Sequence, residues 1–168
     1  MTTTAFGLTG LSGSGKTTLM TQLIDWFCQH GVKVSAIKHT HHGFDLEQPG
    51  KDSWRMREAG AGEVYLVSNQ RAVLMSEFRD SPEPTVAELL QRMSPCDLVL
   101  VEGFKRDPLP KLEVFRPSLD NPPVWPGNSA VVAIASDEPV DAPLPVLDLD
   151  DIEGIARFIA AQTGIALP

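Results

Sequence analysis

No apolar run in the 168 residues approaches the ~18–20 needed to cross a membrane as a helix. The start, Met1-Thr2-Thr3-Thr4, carries no basic region and leads straight into an apolar segment, so no secretory leader is expected. Cysteine is scarce. Cys28 and Cys96 sit in apolar segments far apart in sequence, and each reads as a buried thiol in a cytoplasmic protein. Positive charge is the third shortage: 14 Lys and Arg face 22 Asp and Glu, a net charge of −8. That excludes a broad nucleic-acid surface, which needs a basic face. It does not exclude a nucleotide, whose phosphates need only a local site. Internal repeats and low-complexity tracts are absent too.

What remains is one domain, residues 1–168, with an ordinary 42% of apolar residues. Its organising stretch is Gly10-Leu11-Ser12-Gly13-Ser14-Gly15-Lys16-Thr17-Thr18, which fits G-x-x-x-x-G-K-[ST] at every position. The flanks suit it. Ala5-Phe6-Gly7-Leu8-Thr9 reads as a buried strand. After the loop, Leu19, Leu23 and Phe27 recur every four residues, with Met20, Ile24 and Cys28 one step round, and His30-Gly31 ends the helix. Glycines let backbone approach an anion closely. Backbone N–H groups at a helix start then face a phosphate. Lys16 is expected on the β- and γ-phosphates and the Thr17 hydroxyl on Mg²⁺.

Gly31–Lys38 reads as a second strand, closing a βαβ unit, and runs into Lys38-His39-Thr40-His41-His42. In a parallel sheet the C-terminal strand ends gather on the ligand side. His39 and His41 share one side if extended, which admits a metal, yet no cysteine or acid stands at a closing spacing. An anion held by Lys38 and the imidazoles is the better reading, against a plain polar loop. Asp45 and Asp52 follow, and either could reach the γ-phosphate or position water. Ser53 is expected to cap a short helix to about Ala59. Val64–Val67 and Ala72–Met75 read as a hairpin. Thr85 and Glu88 form a capping box for a helix with Val86, Leu89, Leu90 and Met93 on its apolar face.

Asp97-Leu98-Val99-Leu100-Val101-Glu102-Gly103 is an apolar run of the kind buried in the middle of a parallel sheet. Glu102 at its C-terminal end takes the place where phosphate-loop proteins put a magnesium-side acid. The alternative is an acid that only caps the next turn. Six prolines (108, 110, 117, 122, 123, 126) break up residues 107–126 around one strand candidate, Leu112–Phe115, and mark an irregular excursion. Ala130–Ala135 and Val146–Asp148 read as further strands, and Asp150 with Glu153 as the cap of a last helix ended by Gly164. Asp137, just past a late strand, could accept the N1–H and N2–H of guanine, although Asn-Lys-x-Asp is missing. The fold expected is α/β and like the phosphate-loop NTPases: a mostly parallel sheet flanked by helices.

The phosphate loop, Ile37-Lys38-His39-Thr40-His41-His42, Pro49-Gly50-Lys51-Asp52-Ser53, Ala59-Gly60-Ala61 and Leu100-Val101-Glu102-Gly103-Phe104-Lys105 occur in that order. Together they resemble the MobB family of molybdopterin-guanine dinucleotide biosynthesis adaptors over essentially the whole chain. The resemblance implies a GTP-binding, Mg²⁺-dependent, weak GTPase. It also implies a homodimer that assists the guanylyltransferase MobA, which joins GMP to molybdopterin. It carries nucleotide roles onto Gly13, Gly15, Lys16, Thr17 and Thr18, and leaves the histidine segment facing molybdopterin or a partner. The competing readings are a small-molecule kinase on the same loop, with Asp45 or His41 as base, and a non-hydrolysing molybdopterin carrier stabilised by nucleotide.

Overall fold

The computed structural model describes residues 3–40, 43 and 46–167. Six strands make one parallel sheet. They are β1 (Thr4–Thr9), β2 (Val34–Lys38), β5 (Leu98–Glu102), β6 (Lys111–Val114), β7 (Val131–Ser136) and β8 (Val146–Asp148), in the order β2-β5-β1-β6-β7-β8. The helices of this unit are α1 (Lys16–Gln29), α3 (Val86–Arg92) and α4 (Ile152–Thr163). β5 explains its own composition. Leu98 and Leu100 join the cluster formed with Leu19, Leu23 and Phe27 of α1 and Ile155 and Ile159 of α4. Val99 and Val101 join Val86 of α3 in a second cluster. Alternate residues of a strand point to opposite faces, so burial on both requires an unbroken apolar run.

Where the sequence suggested one domain, the contacts gather into two compact units: Met1–His39 with Val86–Pro168, and Thr40–Thr85. The second unit holds α2 (Asp52–Glu58) and the antiparallel hairpin of β3 (Glu63–Val67) and β4 (Ala72–Ser76), as the spacing of the two apolar runs predicts. It has its own polar anchor. Arg57 pairs with the buried Glu47 carboxylate at 2.9 Å and with Glu77 at 3.1 Å.

Several local expectations are corrected. Cys28 is exposed, because each helical step turns about 100° and only Leu19, Met20, Leu23 and Phe27 of α1 are buried. Lys51, in extended backbone, is the N-cap of α2, while Ser53 is buried in its first turn. Asp151 caps α4, accepting from the Gly154 N–H at 2.9 Å; Asp150 instead donates its N–H to Asp148. The approach is close, and a Cβ on Gly154 would stand 2.3 Å from the end of the flexible Asp151 side chain, which would have to shift. β2 starts at Val34, because the Val32 N–H is spent on the Phe27 carbonyl at the helix end. Within the irregular stretch 107–126, Lys111–Val114 is a fully buried strand between β1 and β7, and the irregularity lies on either side of it.

Candidate functional site

β1 delivers the chain to the glycine loop at the C-terminal side of the sheet. Gly10, Gly13 and Gly15 all have positive φ, at 137°, 80° and 98°. At Gly10 the need is double, since a Cβ would lie 2.4 Å from the Val114 carbonyl oxygen. Gly15 is the left-handed N-cap of α1, and no side chain caps that helix, so its first N–H groups face the loop without a side-chain partner. Lys16 folds over the loop and donates to the Leu11 carbonyl at 2.7 Å. Burial lowers the Lys16 pKa; nearby Glu102 opposes that, and Lys105 and Lys38 add to it. The Ser14 hydroxyl is buried without a hydrogen-bond partner. A buried unpaired hydroxyl costs about 1–3 kcal/mol.

β5 supplies the acid. Glu102 is buried at the strand end, in register with Leu8 of β1 on one side and Lys38 of β2 on the other. The Thr17 hydroxyl lies 3.1 and 3.0 Å from its two carboxylate oxygens. The Lys38 ammonium donates to the Thr17 oxygen at 3.1 Å and stands 3.4 Å from Glu102 Oε1. The structure thus brings Lys16, Thr17, Lys38 and Glu102 together, three of them from different strands or helices. The reading of Glu102 as only a turn cap does not describe this contact. Gly103 follows with φ 96°, and a Cβ there would stand 2.7 Å from the His39 Cβ. Glycine therefore lets β2 and β5 close up, and the His39 N–H donates to the Glu102 carbonyl at 2.8 Å. His39 packs on Phe104 with ring centres 4.7 Å apart.

Three residues matter that the sequence reading passed over. Buried Lys111 donates to the carbonyls of Phe104 at 3.1 Å and Asp107 at 2.6 Å, and so holds the loop that follows Glu102. Buried Glu113 accepts from the N–H groups of Val124 at 2.9 Å and Trp125 at 2.8 Å. Burial raises its pKa, against the pull of those two N–H groups. Arg116, just past β6, donates to the Ser14 carbonyl at 3.0 Å and pairs with Asp137 past β7. Asp137 is thereby tied to the glycine loop. Only Arg116 among the three leaves a signal, a charged residue two positions past the end of a strand.

Asp52 opens α2 in the second unit. His41, His42 and Asp45 fall outside the described residues. No group of three His, Cys, Asp or Glu suited to a metal is found among the described residues.

A family model, molybdopterin guanine dinucleotide synthesis protein B, matches residues 5–137. The chain belongs to the MobB family. Relatives named molybdopterin-guanine dinucleotide biosynthesis adapter protein are similar over most of their length. One from Escherichia coli is 42% identical, covering 88% of this chain and 86% of the relative. One from Haemophilus influenzae is 40% identical, covering 91% and 85%. A crystal structure of molybdopterin-guanine biosynthesis protein B superposes with TM-score 0.74 at 25% identity, covering 94% of this chain and 99% of that one. A MobB homolog from Bacillus stearothermophilus gives 0.70 at 23% identity, covering 96% and 99%. The fold is the phosphate-loop NTPase-like one that the sequence segments implied. No helix among the described residues is long and apolar enough to cross a membrane.

Proposed function

We propose that this chain is a Mg²⁺-dependent GTP-binding adaptor with slow GTPase activity, serving assembly of molybdopterin guanine dinucleotide beside the guanylyltransferase MobA. The observation that carries the reading is the Thr17 hydroxyl 3.0 Å from the Glu102 carboxylate, at the head of a helix entered through three positive-φ glycines. The oxygen donors fit Mg²⁺, which takes one or two protein groups and fills its shell with phosphate and water. Thr17 and Glu102 would hold it. When bound, the ion neutralises charge on the β- and γ-phosphate oxygens.

The chain's own residues supply the rest. The α1 N-terminus offers backbone N–H groups to the phosphates. Lys16 exchanges the Leu11 carbonyl for phosphate oxygens. Arg116 holds the Asp137 carboxylate by its Nη1, which leaves Asp137 lone pairs for the N1–H and N2–H of guanine. The engagement of Arg116 supports slow hydrolysis. It is held by Ser14 and Asp137, on the β6–β7 side of the loop. An arginine so engaged is not free to neutralise charge on a transferring phosphoryl group. The relatives' names put them in assembly of a dinucleotide whose guanine half is a ligand of the class this loop suits.

Calorimetric titration of the purified chain with GTP and ATP, each with Mg²⁺, tests the reading. GTP should bind more tightly. Equal binding, or ATP preference, would detach the chain from guanine chemistry and favour a small-molecule kinase.

A further inference from the structure

The Lys38 ammonium occupies an unusual place. It sits against Thr17 Oγ1 at 3.1 Å and Glu102 Oε1 at 3.4 Å, the same two groups that would ligate Mg²⁺. The position is built into the sheet, because Lys38 and Glu102 are register partners on adjacent parallel strands. Glu102 is buried, while the Lys38 side chain is 54% exposed. The acid is thus fixed and the lysine is free to leave. Lys38 also adds to the lowering of the Lys16 pKa, so the two ammonium groups share one neighbourhood. A divalent ion and an ammonium compete for one carboxylate, since two cations a few ångströms apart repel.

We infer that Lys38 is a displaceable counter-ion that makes metal binding conditional on nucleotide. It neutralises Glu102 and orders Thr17 until phosphate oxygens arrive to receive the ammonium. Free Mg²⁺ must displace Lys38 with nothing to take it, whereas Mg²⁺ arriving with a nucleotide brings the acceptor. Metal and nucleotide then bind with positive coupling, which is reciprocal by linkage. This rests on the nucleotide reading above and deepens it by assigning the residue that gates the metal.

The test uses Mn²⁺ as the probe, titrated into the full chain without nucleotide and followed by its free-ion EPR signal. Lys38→Met should bind Mn²⁺ about two- to fivefold more tightly than wild type, the size of a half-exposed ion pair. Lys38→Arg, which keeps the charge, should behave as wild type. The gain should vanish when Glu102→Gln is the background, because the carboxylate the two cations compete for is gone. Repeating the titration with GTP should show a smaller tightening of Mn²⁺ by GTP in Lys38→Met than in wild type. Equal Mn²⁺ affinity in wild type and Lys38→Met would overturn the inference, as would a gain that survives Glu102→Gln or appears in Lys38→Arg. Failure of wild type to bind GTP at all would instead sink the nucleotide reading, so the two failures are distinguishable.

Discussion

Lys111→Met isolates one charge in the interior of the sheet. The lysine is 1% exposed, and its ammonium donates to the carbonyls of Phe104 at 3.1 Å and Asp107 at 2.6 Å. A third carbonyl, of Lys105, stands 3.5 Å away and is too far to count for much. Hydrogen bonds from a charged donor are worth about 1.5–3 kcal/mol each, so two give about 3–6 kcal/mol. That figure is already net of exchange with water, and two bonds that share one ammonium are not additive, so the lower end applies. Methionine fills nearly the same stem volume, so little packing is lost. The net loss should be about 2–3 kcal/mol. For a chain of this length that lowers Tm by about 5–10 °C. Thermal unfolding followed by circular dichroism reads it. Hydrogen exchange should also quicken at Gly103–Asp107, the loop the ammonium holds. A Met variant as stable as wild type, with unchanged exchange there, would refute the view that this lysine anchors the loop behind Glu102.

Four further outcomes follow from the same geometry. Gly10→Ala should abolish nucleotide binding or folding, because its Cβ would stand 2.4 Å from the Val114 carbonyl oxygen; a folded variant with wild-type GTP affinity refutes the tight approach of loop to β6. Asp137→Asn should lose about 10- to 100-fold in GTP affinity, the worth of a hydrogen bond to a charged acceptor, and recover part of it with xanthosine triphosphate, whose C2 oxygen accepts where guanine donates. Glu113→Gln should alter the pH dependence of stability. A raised folded pKa means stability present in full below the unfolded value of about 4.5 and lost as pH rises through the folded one. Urea titrations should therefore show wild type weakening relative to Glu113→Gln from about pH 4.5 upward, then a constant difference; wild type gaining stability relative to the variant as pH rises would contradict the burial argument. The homodimer proposed from the resemblance predicts a particle of twice the chain mass in sedimentation, and a monomer at all concentrations would remove it.

The legible parts of this chain were those whose physics is local. A glycine loop between a strand and a helix, an apolar run with an acid at its end, and two short apolar runs around Ser68–Arg71 each carry their pattern within a few residues. The caps show the margin of that method. Asp150 and Asp151 are adjacent carboxylates with similar credentials, and what separates them is the course of the backbone: Asp151 accepts from the Gly154 N–H, while Asp150 gives its own N–H to Asp148. Nothing in the spacing of acids reveals where the helical backbone begins.

Strand β6 marks where local pattern fails. Its residues Lys111, Leu112, Glu113 and Val114 alternate charged and apolar, the pattern of a half-exposed strand, and the sequence reading offered only Leu112–Phe115 as a strand candidate within an irregular excursion. All four are buried, and the strand lies between β1 and β7. The two charges are spent on backbone groups outside the strand: Lys111 on the carbonyls of 104 and 107, Glu113 on the amides of 124 and 125. Prolines crowd these loops, and a proline has no N–H to give to a sheet. Irregular backbone beside a core leaves amides and carbonyls unpaired, and a buried polar group without a partner is costly. A charged side chain from the central strand satisfies several at once. The alternation that looks like solvent exposure is therefore the signature of a core strand that must also tie down its neighbours. By the same device β6 presents Arg116 to Ser14 of the glycine loop and to Asp137. The irregular stretch thus shapes the β6 side of the candidate site, as β2 and β5 shape the other through Lys38 and Glu102.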